Sequence, residues 1–194
     1  FEVPPYTFIE GFFQSEKYFS FIENKIRKDF EFSQELDSKN AEIAEKIKNC
    51  DAISLHIRRG DYIQKKRYKD FYASCSLLYY KRAAEYIANK VNNPILFIFS
   101  DDIPWVKENL NLPYEMNFID FNTKEKSYID MQLMSMCKHN IIANSSFSWW
   151  GAWLNNNSDK IVIAPKRWFY TSTINQEDII PMKWIKLDNY KGEY

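Results

Sequence analysis

Pro94-Ile95-Leu96-Phe97-Ile98-Phe99-Ser100-Asp101-Asp102 is the stretch on which the fold turns. Five apolar residues follow one another, 95–99, without the polar alternation of a half-solvated strand. Such a run suits a strand of a parallel sheet covered by helices on both faces. Before it, the segment from about Tyr72 to Val91 has a helical pattern that Pro94 closes. After it come a short helix near Pro104–Leu110, a strand at Asn117-Phe118-Ile119 and a helix over Ser127–Lys138. A strand at Asn140-Ile141-Ile142-Ala143, a helix over Ser148–Leu154 and a strand over Lys160–Ala164, stopped by Pro165, complete the alternation. Ala52–Ile57 is the strand that opens it, and a last strand falls at Trp184–Leu187. Strands alternate with helices from residue 52 to 164, so the expected fold is α/β: a doubly wound, mostly parallel, Rossmann-like sheet. The units are too few for a β/α barrel.

Residues 1–14 contain paired prolines and read as extended. Ser15–Asp29 places Tyr18, Phe19, Ile22 and Ile26 on one helical face, with Ser15 as its cap. A second helix fits Ser38–Asn49. The first residue is Phe1 rather than Met. The expected organisation is therefore residues 1–50 as linker and helices bridging from a preceding domain, and residues 51–194 as one Rossmann-like domain.

Basic and acidic side chains number 26 each. A nucleic-acid binder normally carries a basic excess, so that class is set aside and any anion site is local. Cys50, Cys75 and Cys137 are odd in number, widely spaced and without a CxxC pair, which argues against a disulfide framework or a zinc site. The expected compartment is cytoplasmic, with peripheral contact to the inner membrane face left open. No apolar run reaches bilayer-spanning length.

Ligands of an open α/β sheet sit beyond the carboxyl ends of its strands. His56-Ile57-Arg58-Arg59-Gly60-Asp61 follows the first strand. Alternation puts His56 and Arg58 on one side and Arg59 on the other. Arg58 then faces the ligand, and Arg59 a neighbouring carboxylate or loop. A guanidinium suits phosphate because its planar fork donates two bonds and keeps its charge; bracing of the loop through Asp61 is the bland alternative. Asn144-Ser145-Ser146-Phe147-Ser148 stands where a helix begins, and unpaired amides with the dipole's positive end there suit an anion as well as a simple cap. Asp101-Asp102 ahead of Pro104 reads as a helix start rather than a metal site. Ser127-x-x-Asp130 reads as a capping box. Asp130 can also be a base reader, accepting from the N1–H and amino group of guanine. Trp149, Trp150 and Trp153 read as core packing rather than a sugar platform.

His56-Ile57-Arg58-Arg59-Gly60-Asp61-Tyr62 resembles the HxRRxD motif of α1,2- and α1,6-fucosyltransferases and protein O-fucosyltransferases. Phe99–Asp102, Asp130–Met134 and the block Ser145–Leu154 resemble the bacterial α1,2-fucosyltransferases, glycosyltransferase family 11. The likeness runs from about Gly11 to the end. It implies a GT-B enzyme whose second domain, here 51–194, holds the donor GDP-fucose. It also implies inverting transfer of L-fucose to a galactoside hydroxyl of a glycan acceptor, without a metal or other cofactor. By motif, Arg58 is the catalytic contact to the β-phosphate, and His56 and Asp130 address guanine. Ser145, Ser146 and Phe147 meet the pyrophosphate or fucose, and Arg59, Asp101 and Asn144 complete the donor-binding set. Asp61 is carried as general base. The GGLGNQ-type segment of the family is absent, and only four glycines are present, so the acceptor-side domain is expected outside this chain and the fragment can be inactive alone. Transfer from a different nucleotide sugar, and a non-catalytic nucleotide- or sugar-binding module, are the competing readings.

Overall fold

A computed structural model describes residues 4–8, 10–11, 13–171 and 173–189, and all their side chains except that of Lys69. Two 3-10 turns, Glu16–Tyr18 and Ser20–Ile22, lead into helices α1 (Glu23–Asp29) and α2 (Ser38–Lys48). Strand β1 (Asp51–Ile57), helices α3 (Gly60–Gln64), α4 (Lys66–Lys69) and α5 (Leu77–Ala88), strand β2 (Pro94–Ser100) and helix α6 (Ile103–Asn109) follow. Then come β3 (Glu115–Ile119), α7 (Ser127–Met136), β4 (His139–Ile141), α8 (Ser146–Leu154), β5 (Val162–Pro165) and β6 (Ile185–Leu187). The strands form one sheet in the order β3-β2-β1-β4-β5-β6. All five pairings are parallel. This is the doubly wound order of the Rossmann fold, whose crevice opens between the first and fourth strands.

Alternation along β1 sorts the two faces. Ile53, Leu55 and Ile57 pack with Tyr79, Ala83 and Ile87 of α5 and Val106 of α6. Ala52, on the opposite face, packs with Ala44 and Ile47 of α2 and with Leu133 and Met134 of α7. α2 thus contributes to the same core as the sheet. α8 is buried on nearly all sides, and Trp149 and Trp153 join a third cluster with Val162, Ala164 and Trp184. The tryptophans are packing residues: Trp150 lies between the rings of Phe19 and Phe30, stacked at 5.5 and 4.8 Å, and the Trp149 indole donates to the Ile179 carbonyl.

Several elements differ from their sequence reading. The Ser15–Asp29 segment is broken into the two turns and α1, although Ser15 does cap, accepting from the Lys17 amide. The segment read as extended, 1–14, turns at Tyr6 and Phe13, both with positive φ, and part of it lies outside the described residues. The long helix starts at Leu77 rather than Tyr72, because Tyr72 pairs with Phe169 across an isolated antiparallel bridge and Ser76 caps the helix through the Tyr79 amide. The Ser127-x-x-Asp130 capping box does not form. Ser127 is already helical, Lys126 holds the cap position, and no side chain bonds the cap. Among the described residues no helix is long and apolar enough to cross a membrane.

The end of α8 is held by Lys160, whose Nζ donates to the carbonyls of Ala152, Trp153 and Asn155 at 2.8, 3.4 and 2.6 Å. Those carbonyls have no intrahelical partner by construction. Lys160→Met is expected to cost about 1–3 kcal/mol, the penalty for unpaired buried acceptors. Thermal unfolding followed by circular dichroism checks it: each kcal/mol lowers Tm by roughly 2–4 °C at this size. An unchanged Tm would show that water replaces the ammonium without loss.

Candidate active site

A cavity of about 850 Å³ opens at the carboxyl edge of β1, β2 and β3. It is lined by His56 and Arg58 from the end of β1, Asp130 from α7 and Phe147 from the start of α8. Residues 130 and 147 come from elements that pack on the Ala52 face of the sheet, the face toward which His56 alternates. The volume falls in the range of small-ligand sites, roughly 300–1,000 Å³.

Arg58 is held from two directions. Its Nη2 lies 2.7 Å from Asp61 Oδ1 and its Nη1 3.2 Å from Asp101 Oδ2. Five N–H donors serve a guanidinium, so a cation anchored at both terminal nitrogens still has donors for a ligand. Its side chain is 32% exposed, open to the cavity rather than sealed. Asp101 also accepts from the Arg59 amide at 2.9 Å. Gly60 makes this approach feasible, since a Cβ there would lie 2.4 Å from Asp101 Oδ2.

Arg59 turns the other way, as alternation predicts. Its Nε lies 3.4 Å from Asp102 Oδ2 and its guanidinium sits 3.3 Å over the Trp105 ring. It therefore braces α6, whose N-cap is the same Asp102, accepting from the Trp105 amide. It does not line the cavity.

His56 is 5% exposed, and among the described residues its Nδ1 has no hydrogen-bond partner. Burial, with the Arg58 charge adding to it, pushes its pKa down to about 3, so the ring is neutral at ordinary pH. Its ring centroid lies 5.7 Å from that of Phe147. Asp130 shows the opposite response: burial lifts its carboxyl to about 7, although the Asn122 side chain, donating to Oδ1 at 2.8 Å, pulls the other way. A carboxylate on the first turn of a helix needs a reason to be half-buried, and a failed capping box does not supply one.

The loop 144–148 divides. Phe147 reaches the cavity. Asn144 is fully buried and structural: its Nδ2 donates to the Trp168 carbonyl, and its own carbonyl accepts from Tyr62. Ser145 occupies the N-cap of α8 without a side-chain cap bond. Ser146 faces a separate, aromatic cavity of about 460 Å³ beside Trp149 and Trp150. Asp61, anchored on Arg58, does not line the main cavity either. The structure thus brings His56, Arg58, Asp101, Asp130 and Phe147 together, and leaves Arg59, Asp61, Asn144, Ser145 and Ser146 behind or beside them. The sequence reading passed over the loop after β3, where Asn122, Thr123 and Lys124 also line the cavity. The strand-end rule that singled out the other three loops applies there equally.

A doubly wound parallel sheet with a cavity at the carboxyl edge of its strands is Rossmann-like in its build. The chain belongs to glycosyl transferase family 11, whose family model matches residues 2–188. It is 40% identical to the alpha-1,2-colitosyltransferase of Escherichia coli over 183 residues, 92% of this chain and 61% of that protein. It is 43% identical over 142 residues to the Escherichia coli O-antigen biosynthesis glycosyltransferase WbnK, covering 72% of this chain and 45% of that protein. Human galactoside alpha-(1,2)-fucosyltransferase 1 is 22% identical over 160 residues, 77% of this chain and 43% of its own length. The chain therefore spans less than two thirds of the length of each of these relatives.

Proposed function

We propose that this chain is the donor-binding half of an inverting GT-B glycosyltransferase that takes a GDP-activated 6-deoxy-L-sugar, with GDP-fucose as the first donor, and delivers it to a galactoside hydroxyl of a glycan. The observation that carries this reading is the opening of Arg58 and Asp130 into one cavity. A cation for a diphosphate and a half-buried acceptor for a guanine edge line the same space. His56, neutral and lacking a partner at Nδ1 among the described residues, adds a hydrogen-bonding group to that lining.

Breaking the bond from sugar C1 to phosphate oxygen leaves negative charge on GDP. A fixed guanidinium opening into the cavity stabilises that charge more in the transition state than before it. With this charge in place the step needs no divalent cation. Asp101 and Asp102 are engaged with Arg58, the Arg59 amide and the cap of α6. Asp61 positions Arg58, and the base that accepts the hydroxyl proton is sought elsewhere.

Isothermal titration of the chain with GDP, UDP and ADP tests the reading. GDP is expected to bind with a clear preference; equal affinities, or no binding of GDP, would overturn it. A second reading concerns the sugar. The 40% identity to a colitosyltransferase favours colitose, which lacks the 3-hydroxyl of fucose, as the transferred residue. Competition between the two GDP-sugars separates these donors.

Gly60→Ala gives a sharper local test. The added methyl must displace the Asp101 carboxylate, and with it one anchor of Arg58. A charge-assisted hydrogen bond contributes about 1.5–3 kcal/mol, so GDP affinity is expected to fall roughly tenfold or more, with Tm almost unchanged. Wild-type affinity in this variant would show that Asp101 has no part in the site.

A further inference from the structure

Asp130 is the last member of a chain of side chains that begins 93 positions earlier at Asp37, the N-cap of α2. Asp37 Oδ1 accepts from the Asn40 amide at 3.1 Å and from Asn40 Nδ2 at 2.9 Å. Those bonds, the backbone one foremost, hold its carboxyl below the usual carboxylate range, so Asp37 is an acceptor only. The Asn40 NH₂ group must therefore face it. Its second hydrogen goes to Asn122 Oδ1 at 3.0 Å, and its oxygen accepts from Asn122 Nδ2 at 2.8 Å. One hydrogen then remains on Asn122 Nδ2, and it points at Asp130 Oδ1, 2.8 Å away. Neither amide can turn over without setting oxygen against a carboxylate. The pair is buried, with Asn40 at 0% and Asn122 at 9% exposure.

Packing alone does not call for this device. A buried amide pair is no better than a leucine pair of similar volume unless every group is bonded. Here every hydrogen of both amides is used, and the direction of the last one is dictated from the far end. We propose that Asn122, oriented through Asn40 by Asp37, is a specificity-determining positioning residue. It anchors one oxygen of Asp130 and leaves the other to meet two adjacent N–H donors of a purine edge. The proposal rests on the reading that Asp130 faces guanine. The ligand class it selects is a purine diphosphate with N–H groups at both N1 and the 2-amino position, over one with N1–H alone.

Titration of the whole chain with GDP, inosine diphosphate (IDP) and ADP between pH 6 and 8 tests this in wild type, Asp130→Asn and Asn122→Leu. ADP carries the same titrating diphosphate, so the GDP-to-ADP ratio isolates the base. His56, Arg58, Asp101, Lys107, Asp120 and Lys124 line the same cavity as Asp130, and all six are common to the three ligands. Asn122→Leu is expected to lower the GDP-to-IDP preference at least fivefold, to leave ADP binding within twofold, and to move the pH of half-maximal guanine preference upward, since the N–H that favours the ionised carboxyl is gone. If Asn122→Leu does not fold, NMR of the wild-type Asn122 side-chain amide takes its place. Its resonances are expected to follow a titration near pH 7 and to shift with GDP more than with ADP. A wild-type preference and pH midpoint in Asn122→Leu, or Asn122 resonances indifferent to both pH and GDP, overturns the proposal. Loss of preference in Asp130→Asn with none in Asn122→Leu removes the relay alone. Retained preference in Asp130→Asn, or no GDP binding by the wild-type chain, removes the guanine reading and the relay with it.

Discussion

Replacing Arg58 by alanine is expected to weaken GDP binding by the chain at least about 100-fold, and donor turnover in an active enzyme by roughly 10²–10³-fold. Two effects add. The first is loss of charge-assisted donors to the diphosphate, each worth about 1.5–3 kcal/mol. The second lies in what is left behind. Asp61 at 2.7 Å and Asp101 at 3.2 Å from the guanidinium lose their common counter-ion. An anion site with one cation between two carboxylates becomes two bare carboxylates facing a dianion. Removing one partner of a hydrogen-bonded charge pair costs more than the pair contributes, for this reason. Arg58→Lys is expected to recover little, since a single ammonium cannot hold both carboxylates and still present a fork. Arg58→Ala combined with Asp61→Asn is expected to recover part of the loss by removing repulsion. Calorimetry at constant ionic strength reads all three. Near-wild-type affinity in Arg58→Ala would place the diphosphate elsewhere and sink the site as drawn.

Much of this arrangement was legible from residue order. The unbroken apolar run at 95–99 implied a strand covered on both faces, and β2 is central and parallel. Period-two alternation at 56–59 separated Arg58 from Arg59, and it holds two residues past the end of β1, where Arg59 stacks on Trp105. Asp102 before Pro104 marked the start of α6. What order did not carry were contacts between distant segments. Tyr72 has helical neighbours in sequence but is bridged to Phe169, nearly a hundred residues away, through bonds that its neighbours Phe71 and Ala73 make. Ser127 and Asp130 have capping-box spacing, yet Asn122 claims the Asp130 carboxyl and the helix begins a residue early. The serines after β4 are alike in chemistry, and only the helical turn decides that Phe147 faces the main cavity while Ser146 faces another. The assignment of Asp61 as base had proximity in sequence behind it. In space that carboxylate pairs with Arg58 and is not among the residues that line the cavity.

Asp130 should make guanine recognition depend on pH in a range where most carboxylates are silent. Its folded carboxyl titrates near 7, raised by burial from an ordinary 3.8. A guanine edge needs the ionised, acceptor-only form. Below pH 7 each unit of pH therefore lowers the affinity for the base up to about tenfold, and above it the affinity levels off. His56 does not confuse this window, because burial keeps it neutral down to about pH 3. The GDP-to-ADP affinity ratio is thus expected to climb from pH 6 to pH 8 and then flatten. Asp130→Asn should be flat throughout and weaker at pH 8 by on the order of 100-fold, two lost charge-assisted bonds. Stability must run the other way. Between about pH 4 and pH 7 the unfolded chain ionises this carboxyl and the folded chain does not, so stability falls with rising pH. Above 7 the deficit is constant, bounded by roughly 4 kcal/mol and reduced by solvent at the cavity mouth. Asp130→Asn is accordingly expected to raise Tm at pH 8 and to raise it less at pH 5, while destroying guanine preference. A carboxylate that merely capped α7 would give the reverse, a Tm that falls on substitution, because a cap stabilises in its ionised form. Opposite signs in stability and binding from one substitution are the mark of a group buried for its ligand at the expense of the fold.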